Sequence, residues 1–251
     1  MINKIRIGFI VRKEASEVEL STLCSLPGVS GDEYEVHQYL SKEYQTLNLN
    51  LKRDKLGSIF GERQVENSPF KVMISSNIDE CGGMVDDIHE RGLLSFVTIG
   101  DVLPKDFLHQ QVCLLTRHHQ RVYGYVLQKQ EHYWIHIGAK SLQEVEEFGV
   151  QVGDTFVLEI PVIETEQMIL SKNISNRAGV YAAYQLMETI SSLPYTLSIG
   201  GIAQSIVGYR GAITATNTIL PDVSIVLDVA PVRDYAEQTV YIRYFDKTLL
   251  P

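Results

Sequence analysis

Polar side chains that could do chemistry occur at four places in the sequence, each next to a predicted strand or helix. They are Asn77 with Asp79, Ser175 with Asn176 and Arg177, Ser205, and Asp228. In open α/β sheets, ligands bind beyond the carboxyl ends of the strands, so we expect the four places to converge. A cleft of amides, hydroxyls and carboxylates would suit a small peptide or an amino acid. Because these residue types also cap helices and form turns, a purely structural role stays open.

The elements that would position these side chains alternate between strands and helices on both flanks of the chain. Apolar residues at helical spacing after Ser30-Gly31-Asp32 predict the first helix, and the apolar run at 70–76 predicts the strand that precedes Asn77. The second flank is predicted to contain helices at 176–190 and 209–218 and strands at 196–204, 223–229 and 240–245. Such alternation predicts an α/β sheet.

Between these flanks, from about residue 84 to residue 160, the pattern changes. Short strand-like pieces follow one another at 93–99, 111–116, 122–127, 133–137 and 155–160. One helix, which Ser141 caps with Glu144 three residues on, interrupts them. Closely spaced strands predict a small β-rich domain. We therefore expect an α/β domain over 1–82 and 166–251, interrupted by a β-rich, barrel-like insertion domain over 83–165.

The composition excludes several classes of protein. Of the 251 residues 45% are hydrophobic and 21% are charged, unlike a disordered chain. The net charge of −9, with no dense basic stripe, argues against a nucleic-acid partner. No apolar run reaches the roughly 18 residues of a membrane span, and residues 5–11 predict a strand rather than a signal peptide.

The cysteines indicate a reducing compartment. Cys24, Cys81 and Cys113 are odd in number and widely spaced, without the pattern of a metal site or of a disulfide framework. We therefore expect a cytoplasmic protein.

Several motifs resemble those of the glutamyl, or tetrahedral-particle, aminopeptidases, which are metallopeptidase family forty-two. The motifs are LPGVSGDE at 26–33, DKLGS at 54–58, NIDECG at 77–82, IGAKS at 137–141, SNRAG at 175–179, QSIVGYRGA at 204–212 and LDV at 227–229. They occur in the family's order between about Glu17 and Lys247. The resemblance implies a peptidase-like mixed sheet with helices on both faces and an insertion domain that mediates dimer contacts in large shells.

The resemblance also implies where the chemistry would lie. In that family two metal ions, bridged by a carboxylate, activate the water that attacks the peptide carbonyl, and each ion needs histidine or carboxylate ligands. By motif, the first histidine ligand falls on Asn77, and the bridging aspartate falls on Ser175. The general-base glutamate falls on Ser205, and the neighbouring glutamate ligand falls on Ile206. Asp228 keeps its residue type, and the last histidine ligand of the family would lie beyond Pro251.

These replacements predict a catalytically inactive, C-terminally shortened member of that family. One carboxylate, an amide and two hydroxyls do not balance the four positive charges of two divalent ions. We expect no catalytic residue, no bound metal and no other cofactor. The remnant cleft would comprise Asn77, Asp79, Glu80, Ser175, Ser205 and Asp228. A homo-oligomer, dimer or larger, would form through the insertion domain, and an active aminopeptidase paralogue is a further expected partner.

Three other functions were weighed against this one. A residual aminopeptidase acting on short peptides with zinc or cobalt would need new ligands, yet His118, His119, His132 and His136 fall in the insertion. A cysteine hydrolase is disfavoured because the carboxylates of Asp79 and Glu80 would raise the pKa of Cys81. A nucleotide site is disfavoured because Ile206 stands where the motif needs its first glycine.

Overall fold

The computed structural model describes residues 19–165 and 169–229, together with the backbone of 240–246. The helices in these ranges are α1 Leu20–Ser25, α2 Tyr34–Thr46, α3 Leu142–Glu147, α4 Ile174–Thr189 and α5 Arg210–Ile219, with a short 3-10 helix at Pro104–Phe107. No helix of the described ranges is long and apolar enough to cross a membrane. The strand predicted at 5–11 lies outside the described residues.

Fourteen strands occur in the same part of the chain. They are β1 Asn50–Arg53, β2 Ile59–Arg63, β3 Lys71–Asn77, β4 Gly82–Ile88, β5 Leu93–Ile99, β6 Gln111–Leu115, β7 Arg121–Lys129, β8 His132–His136, β9 Thr155–Leu158, β10 Ile163–Glu164, β11 Ile169–Leu170, β12 Thr196–Ile202, β13 Val223–Val229 and β14 Val240–Asp246. Most of them form one sheet and one barrel, while β10 and β11 form a separate two-stranded ribbon.

The sheet has six strands in the order β1-β2-β12-β3-β13-β14. Its central strand β3 is parallel to both β12 and β13, whereas the outer pairings are antiparallel. The carboxyl ends of β3, β12 and β13 therefore meet at one edge, and Asn77 lies opposite Ile202 in the register there. This edge is where the sequence predicts the polar cleft.

Helices cover both faces of the sheet because its central strands are apolar on both sides. In β3, Val72 and Ile74 join the large core that also contains Tyr44 of α2 and Tyr184 of α4. Met73, which points to the other face, packs in a smaller core with Ala215 and Ile219 of α5. The predicted α/β fold, a mixed sheet with helices on both faces, is confirmed.

Six strands close into a barrel in the order β4-β5-β8-β7-β6-β9, with β4 pairing with β9. Three phenylalanine rings fill its interior edge to face, with centroids 5.0 to 6.1 Å apart, and they are Phe96, Phe107 and Phe156. The β-rich, barrel-like part of the predicted fold is thus confirmed. The barrel strands span 82–158, and the domain bounds at 82/83 and 165/166 stay a prediction.

Strand β4 is an element that the sequence pattern does not predict. It begins with Gly82 and Gly83 and contains a bulge between Val85 and Asp87 that shifts the register against β5, so its apolar residues do not alternate. Both glycines are required by packing, because a Cβ atom on either would overlap Phe156 of β9.

Candidate functional site

Two of the predicted site residues meet directly at the carboxyl edge of the sheet. Asn77 is the last residue of β3, and Ser205 follows β12 by three residues. The Ser205 hydroxyl donates a hydrogen bond of 2.8 Å to Asn77 Oδ1, and Ser205 is buried. The side-chain oxygen of Asn77 is therefore already engaged by the protein itself.

Two buried carboxylates hold the backbone on either side of Ser205. Asp79 Oδ2 accepts from the amide of Ile206 at 2.8 Å, and Glu33 Oε1 accepts from the amide of Gln204 at 2.8 Å. Gln204 is in the left-handed region with φ 52°, a conformation that costs a side-chain-bearing residue free energy. The two carboxylates therefore stabilise a loop that would otherwise be strained.

Burial raises the pKa of Glu33 to about 7. The backbone amides of Gly31 and Gln204 act in the opposite direction because they favour the ionised form. Glu33 is 5% exposed, so loss of hydration outweighs its two hydrogen bonds. Sequence reasoning did not select this residue, because Asp32-Glu33 at the start of a helix fits an ordinary capping sequence.

Glu80 belongs to a buried ionic cluster. Its carboxylate lies 3.1 Å from Lys172 Nζ and 3.9 Å from Arg177 Nη2, and it accepts from the amide of Gly28 at 3.0 Å. The side chains of Glu80, Lys172 and Arg177 are 4%, 7% and 0% exposed. Burial lowers the pKa of Arg177, which Glu80 partly offsets. The cluster ties the loop before α2 to the start of α4.

The first turn of α4 contacts the loop after β3 through the side chain of Asn176. Asn176 Nδ2 donates to the carbonyl of Asp79 at 2.6 Å. Ser175 is exposed, and its hydroxyl donates to Asn176 Oδ1 at 3.3 Å. Asp228, exposed near the end of β13, accepts from the amide of Val229. Within the described ranges, neither Ser175 nor Asp228 hydrogen-bonds to Asn77, Asp79 or Ser205.

The donor set does not fit the pair of metal ions that the resemblance implies. The described residues contain no group of three or more His, Cys, Asp or Glu side chains placed to hold a metal ion together. Asn77 Oδ1 and Asp79 Oδ2 accept hydrogen bonds from the protein, and Ser205 is a neutral hydroxyl. Two divalent ions need anionic or imidazole ligands, and this edge of the sheet supplies too few of them.

The barrel reaches this edge through the residue after β5. A Cβ atom on Gly100 would lie 2.7 Å from both Cys81 Sγ and Ile206 Cγ2. Gly100 also has φ +96°, so a larger residue is excluded by space and by conformation. Burial raises the pKa of Cys81, with smaller contributions from Asp79. A protonated thiol beside the backbone of Gly100 fits a structural role better than that of a nucleophile.

The histidines considered as ligands lie on the barrel, away from the sheet edge. His132 and His136 are exposed in β8, and His119 stacks on Tyr34 with ring centroids 3.5 Å apart. A cavity of about 420 Å³ near His119 is lined by Asp32, which precedes α2, and by barrel residues that include Asp154. It contains none of the predicted site residues.

A family profile described as M42 glutamyl aminopeptidase matches residues 57–247. The FrvX protein of Escherichia coli (strain K12) is 34% identical over 231 residues, which cover 86% of this chain and 64% of that protein. The glutamyl aminopeptidase of Lactococcus lactis subsp. cremoris (strain MG1363) is 29% identical over 238 residues, covering 86% and 67%.

A solved structure shows the same architecture. The aminopeptidase APDkam598 from the archaeon Desulfurococcus kamchatkensis superposes with a TM-score of 0.78 at 29% identity, covering 86% of this chain and 63% of that chain. The chain therefore spans slightly less than two thirds of the length of this structure and of FrvX.

Proposed function

Because the chain belongs to the M42 glutamyl aminopeptidase family, we propose that it is a member that keeps the scaffold without the hydrolytic chemistry. Its remaining function would be assembly, as an oligomer partner or a regulator of an active paralogue. It would need no zinc, cobalt or other cofactor, and we assign it to the cytoplasm because of its unpaired cysteines.

The hydrogen bond from Ser205 to Asn77 carries this proposal. By motif, these positions are the general base and a metal ligand of the family. A serine hydroxyl cannot take a proton from water near neutral pH, and an amide oxygen is a weak ligand. Losing a general base alone costs about 10²–10⁴ in rate, and without the metal the nucleophilic water is not activated.

The barrel supports the assembly role. It is closed and well packed, and its outer face exposes the apolar or aromatic side chains of Val97, Tyr123 and Tyr125. Such side chains are typical of protein interfaces. An oligomer formed through the barrel would leave the sheet edge of each copy unchanged, so assembly would not require an active site.

A residual metal-dependent aminopeptidase acting on short peptides is the alternative. Family membership favours it, and so do Asp79 and Asp228, which keep the residue types of the family's motifs. Zinc or cobalt would then bind through Asp228 and further ligands. The two proposals differ in a quantity that can be counted, which is the number of metal ions that each chain retains.

The experiment loads chelator-stripped protein with zinc or cobalt, desalts it and measures metal per chain by mass spectrometry. Peptide hydrolysis is then followed with short p-nitroanilide substrates, and the Lactococcus glutamyl aminopeptidase serves as the positive control. We expect close to no metal and no hydrolysis. One or two retained ions together with turnover would overturn the proposal in favour of the alternative.

The assembly role has a separate test. Sedimentation velocity of the purified chain gives its oligomeric state, and co-expression with a tagged active paralogue tests for a mixed complex. A dimer or larger species, or a mixed complex, is expected. A strictly monomeric chain that does not co-purify with the paralogue would contradict the role.

A further inference from the structure

Asn77, Ser205 and Ile206 stand at family positions for metal ligands or base, yet here they contact the protein itself. We infer that they form a structural junction that joins the carboxyl edge of the sheet to the barrel. The inference rests on the proposed loss of the metal site. The side chains at those positions would connect parts of the fold, whereas the relatives hold an ion there.

The first link of the junction joins β3 to β12. Ser205 donates to Asn77 Oδ1 at 2.8 Å, and the amide of Ile78 donates to the carbonyl of Ile202 at 3.1 Å. One bond runs between side chains and the other between backbones, just beyond the point where the two strands stop pairing. Together they extend the connection between the strands into the loops.

The second link fixes the loop that presents Ser205. The Glu33 and Asp79 carboxylates accept from the amides of Gln204 and Ile206, both at 2.8 Å. Hydrogen bonds to carboxylates are about twice as strong as those between neutral groups. The hydroxyl of Ser205 is thereby directed at Asn77 without help from an ion.

The third link brings in α4. Asn176 Nδ2 donates to the carbonyl of Asp79 at 2.6 Å, while the carbonyl of Asn176 accepts from the Ser76 hydroxyl at 3.2 Å. The first turn of the helix is thus bonded both to β3 and to the loop that follows it. This holds the helix against the same strand end that carries Asn77.

The fourth link reaches the barrel and is apolar. The side chain of Ile206 and the sulfur of Cys81 pack against the backbone of Gly100, which directly follows β5. A glutamate at position 206, the family's residue by motif, would place a carboxylate in this contact. Position 206 is partly buried, and removing a charge from water without a partner is costly, so an isoleucine fits this apolar contact better than a glutamate.

These links predict a protein whose stability does not depend on metal. A bound ion stabilises a folded chain because the unfolded chain cannot hold it. Here the corresponding connections are made by hydrogen bonds and packing, so a chelator should leave the melting temperature unchanged. Removal of one link should instead lower it.

The experiment measures thermal unfolding, with and without EDTA, of the intact chain and of Asn77→Ala, Ser205→Ala and the double variant. Ser192→Ala is the control because Ser192 is an exposed serine that lies outside the junction. Each junction variant should lower the melting temperature by about 3–8 °C. The double variant should lower it by less than the sum, because both single changes remove the same bond.

The link to the barrel is tested by Ile206→Glu against Ile206→Val, with hydrogen exchange read at the amides of Gly100 and Asp101. Ile206→Glu should increase exchange there by tenfold or more, while Ile206→Val should change it little. Equal exchange in the two variants would overturn this link. An increase confined to Gly100 and Asp101 would distinguish the link from a loss of stability elsewhere in the protein.

The results separate the junction from the proposed function. An unchanged melting temperature in EDTA with non-additive losses in the variants supports the junction. Additive or negligible losses in a metal-free chain overturn the junction and leave the non-catalytic assignment standing. A melting temperature that falls in EDTA, with metal found in the untreated chain, overturns both.

Discussion

Glu33 and Asp79 come from distant parts of the chain, yet each accepts a 2.8 Å hydrogen bond from an amide that flanks Ser205. Both carboxylates are buried, and burial raises the pKa of Glu33 to about 7. Glu33 therefore changes its charge in the physiological range while it holds the loop.

The raised pKa of Glu33 makes the stability of the protein depend on pH. The folded pKa lies above the ordinary value of 4.5, so folding binds a proton to this group between the two values. Its contribution to stability is complete below about pH 4.5 and is lost as the pH rises through about 7. The loss has an upper limit of about 3 kcal/mol.

Glu33→Gln should remove this dependence, because a neutral amide oxygen still accepts from both amides. Urea unfolding from pH 5 to pH 8 should show a flatter profile for Glu33→Gln than for the unchanged chain. Glu90→Gln, an exposed substitution, should keep the unchanged profile. If the stability of the unchanged chain, of Glu33→Gln and of Glu90→Gln depends on pH with the same slope, the assignment of this dependence to Glu33 is wrong.

Lys172 should be far more important for stability than an exposed lysine. Lys172→Met leaves the buried carboxylate of Glu80 with Arg177, 3.9 Å away, as its cationic partner, and breaking a buried ion pair costs about 3 kcal/mol or more. Lys129→Met, exposed at the end of β7, should change stability by less than about 0.5 kcal/mol. Denaturant unfolding measures both. Equal stability of the two variants would show that the cluster is not a net stabiliser.

Gly82→Ala should disrupt the barrel more than Gly124→Ala. A Cβ atom at Gly82 would overlap the Phe156 carbonyl, which is backbone, whereas at Gly124 the nearest atom is a methyl group of the Ile135 side chain. A side chain can move and a paired strand cannot. We expect Gly82→Ala to lower the melting temperature by at least about 6 °C and Gly124→Ala by less than half as much. Calorimetry on both variants tests the order.

The three thiols should be unreactive in the folded protein. Burial raises the pKa of Cys24 and of Cys113 to about 11, and it also raises that of Cys81. Labelling with Ellman's reagent at pH 7 should be slow, with half-buried Cys81 the first to react and all three reacting rapidly in guanidinium. A rapid reaction of Cys81 in the folded chain would instead favour the hypothesis of a cysteine hydrolase.

Metal binding should return when the family's residue types are restored. Asn77→His, Ser175→Asp and Ile206→Glu combined supply an imidazole and two carboxylates in addition to Asp228. Zinc should then raise the melting temperature of the triple variant and leave the unchanged chain unaffected. Adding Asp228→Asn should abolish the effect. Zinc stabilisation that survives this fourth change would mean that the ion binds elsewhere.

Sequence reasoning predicted most of the fold because the strongest patterns are periodic. Strand β5 and strand β13 occur at the predicted bounds, and α4 differs by two residues at its start. Strand β4 was missed because its glycines and its bulge serve the packing of Phe156. That requirement comes from β9, far along the chain, and leaves no local pattern.

The same limit applies to the candidate site. The meeting of Asn77 with Ser205 could be predicted, because both follow parallel strands that end at one edge. Glu33 could not, since its role depends on an amide 171 residues away. Ile206 looked like a lost ligand, and only the position of Gly100 shows what it contacts. Whether the remnant cleft binds a ligand stays a prediction.

The pairing of β4 with β9 has a consequence for the order in which the chain acquires its structure. All barrel strands are contiguous in sequence, whereas β3 must wait for β12 and β13, which lie beyond the barrel. During synthesis the barrel can therefore close before the partners of β3 leave the ribosome. Since its first and last strands are neighbours, closure brings the distant segments together and reduces the entropic cost of completing the sheet. The barrel thus acts as an internal folding aid before any assembly begins.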